Sequence, residues 1–174
     1  EKNWRILPRQ AVHDSSSVTY PVFTAIAAPE VQNKLNGDFA IIAGPYLQNL
    51  ATGGCELDYT LTFVSEKFIS IVFFGVLDEG EKEIFAKIPL NIDVQTGAQL
   101  ALGDVLNLRD ADLLPVLRLL TKKDMVDFSK GIPESWYYNG TNFVFCQRSE
   151  TGEWLEATVA ASDLKKFLLK PELF

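Results

Sequence analysis

The clearest pattern in the chain is an alternation of apolar and polar positions between residues 84 and 94. Isoleucine, alanine, leucine and valine fill the even positions, while most odd positions are polar, charged or proline. A period of two over this length predicts a β-strand with one buried face. The same alternation over 57–63 and an apolar run over 69–76 predict two preceding strands. Short polar turns separate the three strands, so we expect an antiparallel meander.

A helical stripe precedes the meander. Apolar residues recur at intervals of three or four from Val31 to Leu50, which is the spacing of one helix face. Pro29 suits the first helical position, where a missing N–H costs nothing. Gly44-Pro45 is expected to kink or end the helix, because Pro45 cannot donate to the carbonyl of Ile41.

Two short candidate strands come before this helix. The first is an apolar run at 4–7, and the second is an alternating run at 18–22. Pro21 interrupts the second run and predicts either an edge strand or a strand end. The polar residues 13–17 between the two runs are expected to form a loop.

The C-terminal part of the chain predicts a helix, a hairpin, a strand and a second helix. Leucines at 113–120 mark the first helix. Asn139-Gly140 lies between the runs 136–138 and 143–148 and predicts a hairpin, because this dipeptide favours turns that match strand twist. A strand follows at 154–159, and Ser162 is a candidate cap for the last helix.

The predicted order of elements contains no βαβ crossover. It favours an α+β fold in which an antiparallel sheet, made of the meander and the C-terminal hairpin, has helices packed mainly on one face. A chain of 174 residues is expected to form a single domain, 1–174. The acidic turn near residue 78 is a candidate internal boundary, with possible sub-blocks 1–78 and 79–174.

Composition narrows the class of partner. The net charge of −7 argues against nucleic acid, whose binding needs a basic face. No stretch reaches the ~18–20 consecutive apolar residues that span a bilayer, so no direct membrane insertion is expected within this segment.

Cys55 and Cys146 are the only cysteines, and the sequence leaves open whether they are bridged or free.

A series of residues in the middle of the chain resembles a known family. It consists of an Asp-x-x-Thr-Gly turn, two leucines one residue apart, and an aspartate followed by two apolar residues: Asp93, Thr96, Gly97, Leu100, Leu102, Asp104, Val105 and Leu106. Tyr20-Pro21 and the run from Tyr138 to Leu164 extend the likeness over nearly the whole chain. The pattern resembles the extracytoplasmic domain shared by lysozyme-responsive anti-sigma factors and the N-terminal part of some peptidoglycan deacetylases.

This resemblance implies an extracytoplasmic, secreted or membrane-tethered bacterial domain without enzymatic activity. Such a domain would bind or sense a cell-wall-related ligand or a basic protein. The family often carries a Gly-Gly-Ala-His-Gly stretch where this chain has Leu77-Asp78-Glu79-Gly80-Glu81. If this loop recognises the partner in the family, the resemblance does not imply that this chain has the same partner. In the deacetylases, catalysis takes place in a separate domain. The first alternative is therefore that this chain is a structural accessory domain of a cell-wall enzyme.

A search for catalytic chemistry finds no strong candidate. His13 is the only histidine, so a Ser-His-Asp or Cys-His site would have to include it. One histidine and two distant cysteines do not form a zinc site, and Gly53-Gly54 lacks the remaining residues of a phosphate loop. We therefore expect no catalytic residue, metal or cofactor. A hydrolase that uses a carboxylate pair is the second alternative, because 23 acidic residues form many pairs.

Two groups of side chains are candidate binding residues. An acidic turn suits a basic protein, although a solvated hairpin tip gives the same pattern. Aromatic side chains of the C-terminal strands suit stacking on a sugar or peptide, although core packing gives the same pattern. The candidates are Asp78, Glu79, Glu81, Glu83, Trp136, Tyr138 and Trp154. Asp93 and Asp104 are interpreted instead as a turn residue and a helix cap.

Overall fold

The computed structural model describes residues 3–78, 80 and 82–174. Its helices are α1 (Pro29–Asn49), α2 (Leu102–Val105) and α3 (Leu113–Leu120). Its strands are β1 (Arg5–His13), β2 (Ser16–Thr24), β3 (Cys55–Val64), β4 (Phe68–Asp78), β5 (Glu83–Asp93), β6 (Ala98–Gln99), β7 (Ser135–Tyr138), β8 (Asn142–Arg148) and β9 (Trp154–Ala160). Short 3₁₀-helices lie at Leu50–Thr52, Phe128–Lys130, Ala161–Phe167 and Pro171–Leu173.

The strands form two sheets, which confirms the predicted α+β class. A six-stranded sheet has the order β1-β2-β3-β4-β5-β6, and a three-stranded sheet has the order β7-β8-β9. The larger sheet is mixed, because β2 and β3 pair in parallel through Ser17–Glu56 and Val18–Leu57. The expectation of an antiparallel sheet without a βαβ crossover is therefore wrong at this pair. Helix α1 is the crossover, since parallel neighbours cannot be joined by a tight turn.

Helix α1 buries one stripe of side chains, as its apolar spacing predicts. The buried residues are Val31, Leu35, Phe39, Ala43 and Tyr46. Pro45 does not end the helix, which continues to Asn49 with the proline inside it. Asn36 holds the helix to β2, because its Oδ1 accepts from Phe23 N at 2.7 Å and its Nδ2 donates to Phe23 O at 3.0 Å.

The polar segment 13–17 is a tight turn rather than a loop. Strand β1 continues to His13, and β2 begins at Ser16, directly opposite it. Asp14 makes the turn with a φ of 50°, a conformation that aspartate tolerates better than most residues. Strand β1 is at the edge of the larger sheet. Pro21 lies inside β2, which continues to Thr24, so the predicted strand end is wrong. It lies beyond the two residues of β2 that pair with β3, so it does not interrupt the pairing of these two strands.

The last predicted helix is wrong in type. Ala161–Phe167 and Pro171–Leu173 are 3₁₀-helices, and Ala160 rather than Ser162 occupies the N-cap position. Leu164 and Phe167 are both buried. A spacing of three brings them to one side of a 3₁₀-helix, which has three residues per turn. By contrast, Asp104 caps α2 as expected, since its Oδ2 accepts from Ala101 N at 2.8 Å.

The chain divides into two compact units. The first unit comprises 1–61, 72–88 and 94–97, and the second comprises 62–71, 89–93 and 98–174. Strands β3, β4 and β5 each contribute residues to both units. The division therefore cuts across the meander and does not fall at its acidic turn.

Aromatic rings form the core of the first unit. Phe23 lies between Trp4 and Phe39, with ring centroids 5.4 and 5.7 Å away, and Phe39 continues to Phe73 at 5.8 Å. Gly75 is required in this core, because a Cβ there would collide with the Tyr46 ring and its hydroxyl. Both cysteines of the chain are free and buried, and Cys55 Sγ donates to Tyr46 O at 3.2 Å.

The second unit has an apolar core on one face of the three-stranded sheet. Strand β7 alternates, so that Trp136 and Tyr138 are buried in this core while Ser135 and Tyr137 are not. Phe143 and Phe174 pack against them, with the Phe143 and Phe174 ring centroids 4.8 Å apart. Other members of this core come from α2, α3, β8, β9 and the last 3₁₀-helices, among them Leu102, Val105, Leu113, Leu117, Phe145, Ala157, Val159, Leu164, Phe167 and Leu173.

Thr62, Ser70 and Asn91 form hydrogen bonds to the edge of β7 that does not pair with β8. We call this group the polar clasp; all its members lie in the second unit. Thr62 Oγ1 donates to Tyr138 O at 2.7 Å, and Tyr138 N donates to Ser70 Oγ at 2.9 Å. Asn91 Nδ2 donates to Trp136 O at 2.7 Å, and Ser70 Oγ donates to Asn91 Oδ1 at 2.7 Å. The clasp satisfies backbone groups that would otherwise be buried without partners.

Candidate functional site

The open face of the meander in the first unit carries exposed acidic and aromatic side chains. On β3, Cys55 and Leu57 are buried, while Glu56 and Asp58, which alternate with them, are exposed. Successive side chains of a strand point to opposite faces, so Glu56 and Asp58 lie on the face turned away from the core. The folded core thus fixes the direction of both carboxylates.

The register of β3 against β4 places an aromatic ring beside this acidic strand. Asp78 N donates to Gly54 O at 2.8 Å, and the Tyr59 and Phe73 rings lie 6.1 Å apart. Both pairs fit the same register, which puts Asp58 opposite Phe74. Phe74 keeps 44% of its surface exposed.

The register of β4 against β5 extends the face. Lys87 Nζ lies 5.6 Å from the centroid of the Phe74 ring, so these two residues are cross-strand neighbours. In this register Val76 is opposite Phe85, and Asp78 is opposite Glu83. Phe85 is 51% exposed.

We name this surface the acidic sheet face. It consists of Glu56, Asp58, Phe74, Asp78, Glu83, Phe85 and Lys87. Among the described residues, none of its four carboxylates forms a salt bridge. Asp78 Oδ1 accepts from Gly80 N at 2.7 Å, which holds that carboxylate at the end of β4. The face can therefore offer a negative field around two apolar rings.

The sequence identified part of this surface. Asp78 and Glu83 lie on it, while Glu79 and Glu81 lie outside the described residues. Glu56, Asp58, Phe74 and Phe85 were missed as binding candidates. The alternation of β3 already shows that Glu56 and Asp58 share a face, but only the strand register brings Phe74 and Phe85 to the same place.

The aromatic candidates of the C-terminal strands do not form one surface. Trp136 and Tyr138 are 2% and 4% exposed, within the core of the second unit, so the core-packing interpretation describes them. Trp154 is half-buried, and its indole Nε1 is buried without a hydrogen-bond partner in the structure. Tyr137 points away from that core and donates to Glu156 Oε1 at 3.1 Å. Its burial and the Glu156 carboxylate raise the pKa of Tyr137.

One cleft in the second unit contains two carboxylates and so bears on the hydrolase alternative. It has a volume of about 270 Å³ and is lined by Asp124, Asp127, Arg118 and Ser129 among others. Hydrogen bonds from Ser129 hold the pKa of Asp127 below its usual range. The general acid of such a hydrolase needs a raised pKa, which is the opposite of the shift at Asp127. Arg118 Nε and Nη2 donate to Phe128 O at 3.2 and 3.0 Å, so its guanidinium stabilises the local backbone.

Two other features of the structure concern chemistry and membranes. His13 Nδ1 lies 3.4 Å from Asp14 Oδ2, and the histidine side chain is 51% exposed. Across residues 3–78, 80 and 82–174, no three His, Cys, Asp or Glu side chains are grouped so that they could hold a metal ion. Over the same ranges, every helix is too short or too polar to cross a membrane.

Two solved structures share the fold of this chain. A member of the DUF3298 family from Bacteroides fragilis NCTC 9343 matches with a TM-score of 0.65 and 11% identity, covering 95% of this chain and 92% of that one. A DUF3298-family protein from Pseudomonas aeruginosa PAO1 matches with a TM-score of 0.60 and 12% identity, covering 99% and 97%. The sequence itself matches no family model and no curated protein. At these identities the structural likeness shows a shared fold, and the fold alone.

Proposed function

We propose that this chain is a non-enzymatic, extracytoplasmic binding or sensing domain whose acidic sheet face binds a basic protein. The observation that carries the proposal is a set of four exposed carboxylates around Phe74 and Phe85. The chain's net charge of −7 favours the same class of partner. The sequence resemblance to domains of cell-envelope proteins supports the location and the connection with the cell wall.

The arrangement suits protein binding because its charges and rings have different roles. Exposed ion pairs are individually weak, about 0.2–1 kcal/mol, so the carboxylates mainly accelerate association and exclude acidic competitors. The rings supply apolar area, worth roughly 25 cal/mol for each Å² removed from water. A basic protein with an apolar patch therefore fits the face better than a small neutral ligand.

The test is the affinity for lysozyme, as a basic protein, measured by calorimetry at rising salt concentrations. We expect binding at low ionic strength that weakens as salt screens the exposed charges. Replacing three carboxylates (Glu56→Gln, Asp58→Asn and Glu83→Gln) should weaken binding about tenfold, since three exposed pairs of about 0.5 kcal/mol are lost.

A matched control separates this face from net charge. The triple variant Glu153→Gln, Asp163→Asn and Glu172→Gln removes the same charge from exposed positions of the second unit. It should retain most of the affinity. Equal losses in both triple variants would mean that net charge alone attracts the partner, and no binding at low salt would remove lysozyme as a partner.

The proposed location has its own test. In the source bacterium, the full gene product carries an epitope tag. Protease is added to spheroplasts, whose cytoplasmic membrane is intact, and should cleave the tagged protein. Protection until the cytoplasmic membrane is lysed would contradict an extracytoplasmic location. A cytoplasmic protein detected in the same samples serves as the control.

A further inference from the structure

We infer that Phe85 is a subsite for a cationic side chain, a guanidinium or an ammonium, of the partner. This inference rests on the proposed function and specifies which group of a basic protein the acidic sheet face recognises. The face already holds one such pair, because the Lys87 ammonium lies 5.6 Å from the centroid of the Phe74 ring. A cation within about 6 Å of a ring centroid is attracted by the negative face of the ring.

Phe85 lies on the same face as Phe74, diagonally across from it on the neighbouring strand. Its side chain is 51% exposed, more than that of Phe74. The strand register places Asp78 diagonally across from Phe85, and Glu83 is two positions away on the same strand and face. A cation above the Phe85 ring would therefore be near two carboxylates, which compensate for part of its lost hydration.

An arginine side chain fits this position better than an apolar one. Its planar guanidinium can stack on the ring and donate to a carboxylate at the same time. An apolar side chain would cover the ring but would leave Asp78 and Glu83 beside a surface that excludes water, which is costly for a charge. Recognition at this subsite should consequently depend on charge and on aromaticity together.

The experiment titrates the chain with a hexa-arginine peptide and, as a neutral match, a hexa-citrulline peptide. Phe ring signals followed by NMR give the site and the dissociation constant. We expect the arginine peptide alone to shift the Phe85 ring signals. Phe85→Leu should weaken its binding about two- to fivefold, as expected for an exposed cation–π pair, while Phe85→Tyr should bind like the parent chain. Circular dichroism verifies that the variants are folded.

The outcomes separate the subsite from the proposed function. If Phe85→Leu binds hexa-arginine as well as the parent chain, while the triple variant Glu56→Gln, Asp58→Asn and Glu83→Gln loses affinity, the acidic face stands and the Phe85 subsite is wrong. If the triple variant also binds unchanged, both are wrong. Equal binding of the citrulline peptide would overturn the cationic specificity.

Discussion

Ser70 makes two buried hydrogen bonds in the second unit, so its substitution should destabilise that unit. It is fully buried, and its hydroxyl both accepts from Tyr138 N and donates to Asn91 Oδ1. Ser70→Ala removes one acceptor and one donor, so a buried N–H and a buried carbonyl oxygen lose these partners. We expect the free energy of unfolding to fall by about 1–3 kcal/mol, measured by urea denaturation.

The control for this change is Ser162→Ala, which removes a hydroxyl from an exposed position. Its effect should stay within about 0.5 kcal/mol, as for most surface substitutions. A Ser70→Ala chain as stable as the Ser162→Ala chain would show that the hydrogen bonds of the Ser70 hydroxyl contribute nothing to stability.

Single residues also show which parts of the candidate site can be predicted from the sequence and which cannot. Asp78 and Glu83 were found because they are close along the chain and form an acidic cluster. Asp58 and Phe74 are far apart in sequence, and their adjacency depends on the β3–β4 register. An alternating pattern gives the face of each side chain but not the neighbour across the strand.

Elements that end the larger sheet show how the chain protects its edges. Pro8 on β1 lies opposite Pro21 on β2. Neither has an N–H, so this cannot be a hydrogen-bonded pair, and Pro8 presents its backbone to the free edge. On β5, Leu100 N donates to Asn91 O, which places the backbone of Pro89, two residues earlier, on the side of β5 that faces away from β4. Prolines on free edges hinder pairing with other chains.

Restoring an edge donor should therefore promote self-association. In Pro8→Thr, a β-branched residue with an N–H completes the outward row of β1. We expect larger species that grow with concentration, measured by size-exclusion chromatography with light scattering. Gln10→Thr on the same edge raises strand propensity without adding a donor, and it should behave like the parent chain. Identical profiles for Pro8→Thr and the parent would disprove the role given to Pro8.

Strand identity was easier to predict than strand pairing. The alternation in β3 and β5 is visible in the sequence and identifies both as strands. The parallel pairing of β2 with β3 is not, because it depends on where α1 packs after the chain has folded. The 3₁₀ form of Ala161–Phe167 was missed for a similar reason, since a pair of buried residues three apart is compatible with either helix type.

At the scale of the whole molecule, the division into two units raises the question of cooperativity. Three strands, β3, β4 and β5, belong partly to each unit. Unfolding one unit would break the hydrogen-bonded ladders of strands that continue into the other. We therefore expect a single unfolding transition, the cooperative behaviour that small single domains usually show.

The tryptophans allow each unit to be followed separately. Trp4 belongs to the first unit, and Trp136 and Trp154 belong to the second. In Trp4→Phe, fluorescence reports the second unit only, and its urea transition should coincide with that of the far-UV circular dichroism of the same variant. In the double variant Trp136→Phe and Trp154→Phe, fluorescence reports the first unit, and the same coincidence is expected.

A destabilising change in one unit provides the stronger form of this test. Gly75→Ala forces a methyl group against Tyr46 within the first unit and should cost about 1–3 kcal/mol, as overpacking does. Introduced into Trp4→Phe, it should lower the midpoint reported by Trp136 and Trp154, although neither tryptophan is in the first unit. An unchanged midpoint would mean that the units unfold independently, and the shared strands would then be continuous in geometry but not in stability.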